Sequence, residues 1–152
     1  MQYKFFHPNA VADIRGSDVY PNLHGRVQFY QHGRCVLVEA NVQGLPETLT
    51  GFFGFHIHAG ERCAGDGFAE TGNHYNPEDT PHPSHAGDLQ PLLYCHGSAY
   101  LSVLTGRFRI EDVLGRTIVI HNKADDFTTQ PAGNAGEKIA CGVIRPACPQ
   151  RG

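Results

Sequence analysis

Eighteen glycines and ten prolines break this 152-residue chain too often for long helices, and no other feature narrows its fold so far. The stretches between them read as strands. Residues 11–15, 26–30 and 35–42 alternate or cluster β-branched and aromatic side chains, with His32-Gly33 and Gly44-Leu45-Pro46 as turn signals. Residues 52–58 make the next strand, interrupted at Gly54. The apolar pattern then disappears over residues 59–91, a connection far longer than usual, so something must hold this loop, and metal bonds would do so. Patterning returns at 92–94, 99–104 and 117–121, lapses over 125–136, and closes with 139–144. No helix of normal length, internal repeat or low-complexity tract is visible. The length fits one domain, expected over residues 1–152 with its core at about 11–144 and a tail at 145–152.

Composition removes several classes of function. The net charge is −3 and no run of lysine or arginine could follow a phosphate backbone, which argues against nucleic acid as a partner. The longest apolar stretches are strand-sized, well short of the roughly 20 residues that span a bilayer. The opening Met1-Gln2-Tyr3-Lys4-Phe5-Phe6-His7-Pro8 has no basic segment followed by a long apolar one, so it does not read as a secretory signal. A complete chain of this kind is expected in the cytoplasm; for a trimmed segment of a longer protein the expectation lapses, and the location can be extracytoplasmic. Five cysteines, Cys35, Cys63, Cys95, Cys141 and Cys148, cannot all pair within one chain, and none has the spacing of a thiolate zinc site. Cys35, in a strand, is expected to be a small core residue.

Histidine is where the chemistry concentrates. His56 and His58 sit two apart in Gly54-Phe55-His56-Ile57-His58, and a strand's period puts both imidazoles on one face, as a chelating pair requires. His74, His82, His85 and Asp88 follow within fifteen positions, and His121 ends the apolar run Thr117-Ile118-Val119-Ile120. Three histidines with one aspartate make a closed tetrahedral zinc set, which His74, His82, His85 and Asp88 supply. His56, His58 and His121 are left for a second metal with an open position, which suits redox copper. For that metal to reach four nitrogens, one histidine must serve both ions. His7, His24, His32 and His96 have no such company and read as ordinary polar residues.

Taken in order, Gly54-Phe55-His56-Ile57-His58, Gly72-Asn73-His74-Tyr75-Asn76-Pro77, His85-Ala86-Gly87-Asp88, Val119-Ile120-His121-Asn122-Lys123-Ala124-Asp125-Asp126, Gly133-Asn134-Ala135-Gly136 and Ala140-Cys141-Gly142-Val143-Ile144 resemble the copper-zinc superoxide dismutases, over roughly residues 11–144. The resemblance implies an all-β fold, an eight-stranded Greek-key barrel or sandwich with two long functional loops. It makes His56, His58, His74 and His121 copper ligands, His74, His82, His85 and Asp88 zinc ligands, and His74 the bridging imidazolate. Asp125 matches the carboxylate that accepts hydrogen bonds from one histidine of each set, His56 and His82. Cys63 and Cys141 match an intrasubunit disulfide.

The activity implied is dismutation of superoxide to oxygen and hydrogen peroxide, with copper and zinc as cofactors and His74 carrying a catalytic proton. Superoxide is the small-molecule partner, and the resemblance admits a homodimer and a copper donor. Lys138 stands where the family places its substrate-guiding arginine, three residues before the second disulfide cysteine, so anion capture should persist with poorer orientation. Only two residues separate His82 from His85, and the stretch 127–132 before Gly133 is short. The charged residues that steer superoxide in this family, a known case of electrostatic steering, have no counterparts there. The runner-up is a non-catalytic copper- and zinc-binding domain, a copper buffer or delivery module. A zinc hydrolase fits poorly, because the zinc set reads as closed and no general base stands beside an open position.

Overall fold

The computed structural model describes residues 7–148. Residues 1–6 of the segment read as lacking a signal, and residues 149–152 of the expected tail, lie outside the described residues. Three strands, β1 (Ala10–Gly16), β2 (His24–His32) and β3 (Cys35–Gln43), form the opening meander. In β3, Val36, Val38, Ala40 and Val42 are buried while the alternate residues are not, the period-two pattern of a sheet with one wet face. That alternation corrects the expectation for Cys35. It falls on the outer phase of β3 and is only half-buried, with the valine beside it taking the core position. β2 runs beyond its apolar centre because backbone pairing with Gln43 and Cys35 extends through the polar His24 and His32.

β4 (Phe52–Phe53) and β5 (Phe55–His58) flank Gly54, and β6 (Leu92–Leu93) and β7 (Ser98–Thr105) follow the long loop. A single helical turn, α1 (Ile110–Val113), precedes β8 (Thr117–His121), β9 (Lys138–Val143) and β10 (Arg145–Pro146). The large sheet runs β5-β8-β9-β1-β2-β3-β7 with β10 also on β1, every pair is antiparallel, and β4 pairs β6 separately. Since β4 and β5 are one strand broken at Gly54, and β9 and β10 one broken at Ile144, the ten segments amount to the eight strands expected. The fold is the curled all-β barrel of the resemblance.

β5 and β8 carry the site because they are buried on both faces. Phe55, Ile57, Ile118 and Ile120 point into the hydrophobic core, where each buried side chain contributes about 1.5–3 kcal/mol. The opposite phase, His56 and His58 beside Val119 and Thr117, would face water in a bare sheet. Here the long loop covers it. Ile57 N–H donates to Gly87 O at 2.9 Å and Tyr75 N–H to Ile57 O at 2.8 Å, while lone bridges set His56 beside Asp88 and His58 beside His74. Gly87 lies so close to β5 that a Cβ there would strike the Ile57 carbonyl. A disulfide joins Cys63 of the loop to Cys141 of β9, with Cα atoms 5.7 Å apart. The loop is therefore held by backbone pairing and a covalent bond as well as by any metal. A short 3-10 stretch, Asp66–Thr71, lies within it, a turn that periodicity cannot reveal.

Candidate metal centre

Four histidines arrive from three parts of the fold. β5 presents His56 and His58, β8 ends in His121 just after a register shift that re-aims the strand, and the loop brings His74 alongside His58. All four are buried, and one candidate donor atom of each lies within 4.8 Å of the others. Their tautomers follow from what the far side of each ring touches. His58 Nδ1–H donates to Gly72 O at 2.8 Å and His121 Nδ1–H to Gly136 O at 3.2 Å. Each bond leaves a bare lone pair on Nε2, and those two nitrogens face each other 3.1 Å apart. His56 Nε2–H donates to Asp125 Oδ2 at 2.7 Å, so its Nδ1 carries a lone pair, buried and without a hydrogen-bond partner. His74 Nε2 is buried and unpartnered as well.

The second group is His74, His82, His85 and Asp88, again buried with donor atoms within 4.8 Å. His74 Nδ1 lies 2.8 Å from Asp88 Oδ1, and His85 Nδ1 lies 3.2 Å from Asp88 Oδ2 and 3.3 Å from His74 Nδ1. His82 Nε2–H donates to Asp125 Oδ1 at 2.8 Å, which leaves the Nδ1 lone pair 3.0 Å from Asp88 Oδ2 without hydrogen-bond alignment. Asp125 thus touches one histidine of each group, and His74 belongs to both. Gly133 makes this approach feasible, because a Cβ there would strike the Asp125 carboxylate and the His82 ring.

Lone pairs turned toward one another at about 3 Å repel, and a cation between them reverses the sign. On a tetrahedral ion, two metal–nitrogen bonds of about 2.0–2.1 Å set their nitrogens roughly 3.3 Å apart, close to the spacings in both groups. The residues therefore fit two metal ions. A set of four imidazoles suits copper, and three imidazoles with a carboxylate suit zinc.

Electrostatics keep these donors ready. Burial lowers the pKa of His56, His58 and His85 and takes that of His121 to about 3, so these rings are neutral donors near pH 7. Burial pushes the Asp125 carboxyl up, but hydrogen bonds from His56, His82 and the Phe127 amide outweigh it and hold the group well below the usual carboxylate range. Asp88 is likewise lowered, the bond from His74 and the surrounding histidines overcoming burial.

A depression in the surface opens onto the first group, lined by His58, His74, His121, Pro131, Gly136 and Lys138 among others. Lys138 Nζ is engaged there, donating to Thr71 Oγ1 at 2.8 Å and Gly72 O at 3.0 Å, and burial lowers its pKa. Sequence reasoning missed the residues that act through the backbone. Gln130 clamps His82, its Oε1 accepting from the amide at 2.9 Å and its Nε2 donating to the carbonyl at 2.7 Å. Thr71 is fully buried beneath Lys138, and the Gly72 and Gly136 carbonyls fix two tautomers. Bonds to a main chain leave no spacing signature in sequence, so only the glycine motifs hinted at them.

Residues 23–144 match the family model for copper/zinc superoxide dismutase. A Cu-Zn superoxide dismutase of Legionella pneumophila is 34% identical over 92% of this chain and 92% of its own length. Cu-Zn superoxide dismutase 2 of Aquifex aeolicus is 33% identical over 80% of the chain and 78% of its own. An extracellular Cu-Zn superoxide dismutase of Caenorhabditis elegans is 34% identical over 80% of the chain and 61% of its own. The matched span takes in every residue of both groups, and the chain belongs to the copper/zinc superoxide dismutase family.

Proposed function

We propose that this chain disproportionates superoxide, with copper held by His56, His58, His74 and His121 and zinc by His74, His82, His85 and Asp88. The observation that carries the reading is the shared histidine. His74 turns Nδ1 toward Asp88 and Nε2, buried and unpartnered, toward the first group. When bound, copper supplies a one-electron centre and zinc a fixed positive charge. Two superoxide anions and two protons give one oxygen and one hydrogen peroxide, so a proton must be delivered where the second anion is reduced. His74 Nε2 is the atom placed to hold and release it, since the ring keeps its other nitrogen anchored at the second group.

Asp125 holds the His56 and His82 rings in the tautomers that leave their Nδ1 atoms free, and so orients both sets of donors. Lys138 puts positive charge at the mouth of the depression and draws an anion toward His58, His74 and His121. On the same family reading the chain pairs as a homodimer and receives copper from a donor protein, which sedimentation and transfer from a loaded donor would test. The free cysteines Cys35, Cys95 and Cys148, two of them exposed, favour a reducing, cytoplasmic setting, and the Cys63–Cys141 disulfide an oxidising, extracytoplasmic one.

Metal analysis beside a superoxide assay tests the proposal. Turnover is expected to rise in proportion to copper content and to fall to background in the copper-free protein. Stoichiometric copper without turnover would replace the enzyme by a copper buffer.

A further inference from the structure

Three carbonyls of the loop that carries the second group point at one spot. Pro83 O, His85 O and Asp88 O lie 2.7, 3.2 and 3.3 Å from Arg107 Nη1, and two of them belong to the donor residues themselves. Carbonyl dipoles converging in this way repel, and the loop needs a positive donor at their focus to stay folded. Arg107 is placed there by the barrel and not by the loop. It follows the end of β7, its amide donates to Thr105 Oγ1 at 3.2 Å, and the next residue, Phe108, is buried in the core. The guanidinium itself touches none of the histidine nitrogens or carboxylate oxygens of either group.

We propose that Arg107 is a positioning residue for zinc. By gathering the carbonyls of Pro83, His85 and Asp88 onto one guanidinium nitrogen, it folds residues 82–88 so that His82, His85 and Asp88 converge before the ion arrives. It sets the affinity of the second group and leaves the first alone, since His56, His58 and His121 come from β5 and β8, and His74 lies outside residues 82–88, bridged to His58 of β5. This rests on the zinc reading given above. Lysine would bring the charge but not the reach of the guanidinium, and glutamine brings neither the charge nor the length.

The test is zinc binding by the metal-free full chain, measured by competition with a chelator of known affinity, for the unaltered protein, Arg107→Gln and Arg107→Lys. Arg107→Gln is expected to bind zinc roughly 10–100-fold more weakly, the range found when groups behind metal ligands are removed, with Arg107→Lys between the two. Copper binding in the same preparations is expected to be unchanged. Cobalt(II) placed in the second group should lose the intense visible bands of a tetrahedral site in Arg107→Gln.

Zinc affinity equal to the unaltered protein would overturn the proposal, and so would a parallel loss of copper and zinc, which marks a general brace. Should Arg107→Gln not fold, Arg107→Lys carries the test alone, with weaker zinc and a thermal midpoint for the metal-free protein that stays put. Failure of the zinc reading itself looks different: the unaltered chain then takes up no zinc, and His85→Ala changes nothing.

Discussion

Asp125 bonds one histidine peculiar to each metal group, His56 and His82, and its removal should be felt in both. The rings of His56 and His82 keep their outward N–H because Asp125 Oδ2 and Oδ1 accept from them at 2.7 and 2.8 Å. Without that acceptor each ring is free to switch tautomer and turn. Asp125→Ala is expected to lower copper and zinc affinity each by about 10–100-fold in calorimetric titration, and an effect confined to one metal would refute its double role. Lys138 makes a complementary case. Its ammonium spends its three donors on Thr71 Oγ1, Gly72 O and Phe68 O, whereas a guanidinium, with five, could meet these and keep an N–H for an anion. Lys138→Arg should therefore raise the rate at low superoxide and steepen its dependence on ionic strength. Identical rates and salt curves for the two proteins would remove Lys138 from substrate capture.

β1 shows how pH acts on an element. Asp13 lies opposite Arg26 across β2, and Arg145, the first residue of β10, also donates to it, so one carboxylate links three strands. The Arg145 hydrogen bond holds its pKa below 3.8, burial opposes this, and Arg26 adds to the lowering. A depressed carboxyl stabilises the fold fully above its unfolded value, and the effect fades as pH falls through the folded one. Both partners are half-exposed, so Asp13→Asn should cost no more than about 1 kcal/mol in urea unfolding near neutral pH. The difference should vanish in acid; a gap that persists there would mean packing, not charge, is involved. At this scale the sequence was readable where side chains repeat. The alternation of β3 and the paired histidines of β5 could be read directly, because period two is set by the backbone. The register shift before His121 and the pairing of the loop with β5 could not, since both are main-chain contacts that any side chain could accompany, nor could the reach of Arg107 across 19 residues to Asp88, which ends on a carbonyl that every residue type carries.

Across the whole molecule, the Cys63–Cys141 disulfide closes a segment of 78 residues that contains β6, β7, α1, β8 and five of the seven proposed metal ligands. In the chain-entropy account such a closure removes about 4.5 kcal/mol of freedom from the unfolded state. Cys63→Ser should thus lower the stability of the metal-free protein by roughly 4 kcal/mol in denaturant unfolding. A loss below about 1 kcal/mol would mean that the unfolded chain is already compact enough to make the link redundant. The same bond should also act on the folded state. Cys63 begins the segment that runs through the 3-10 stretch to Thr71 and Gly72, and the Gly72 carbonyl is what fixes the tautomer of His58. If opening the disulfide loosens that carbonyl, copper binds less tightly, and because the ion binds only the folded chain the stability gap must widen on saturation. Each tenfold loss of affinity adds about 1.4 kcal/mol to it. Unfolding both proteins with and without copper therefore separates the two effects: a gap that copper leaves unchanged confines the disulfide to the unfolded chain, whereas the widening expected here makes it part of the metal centre.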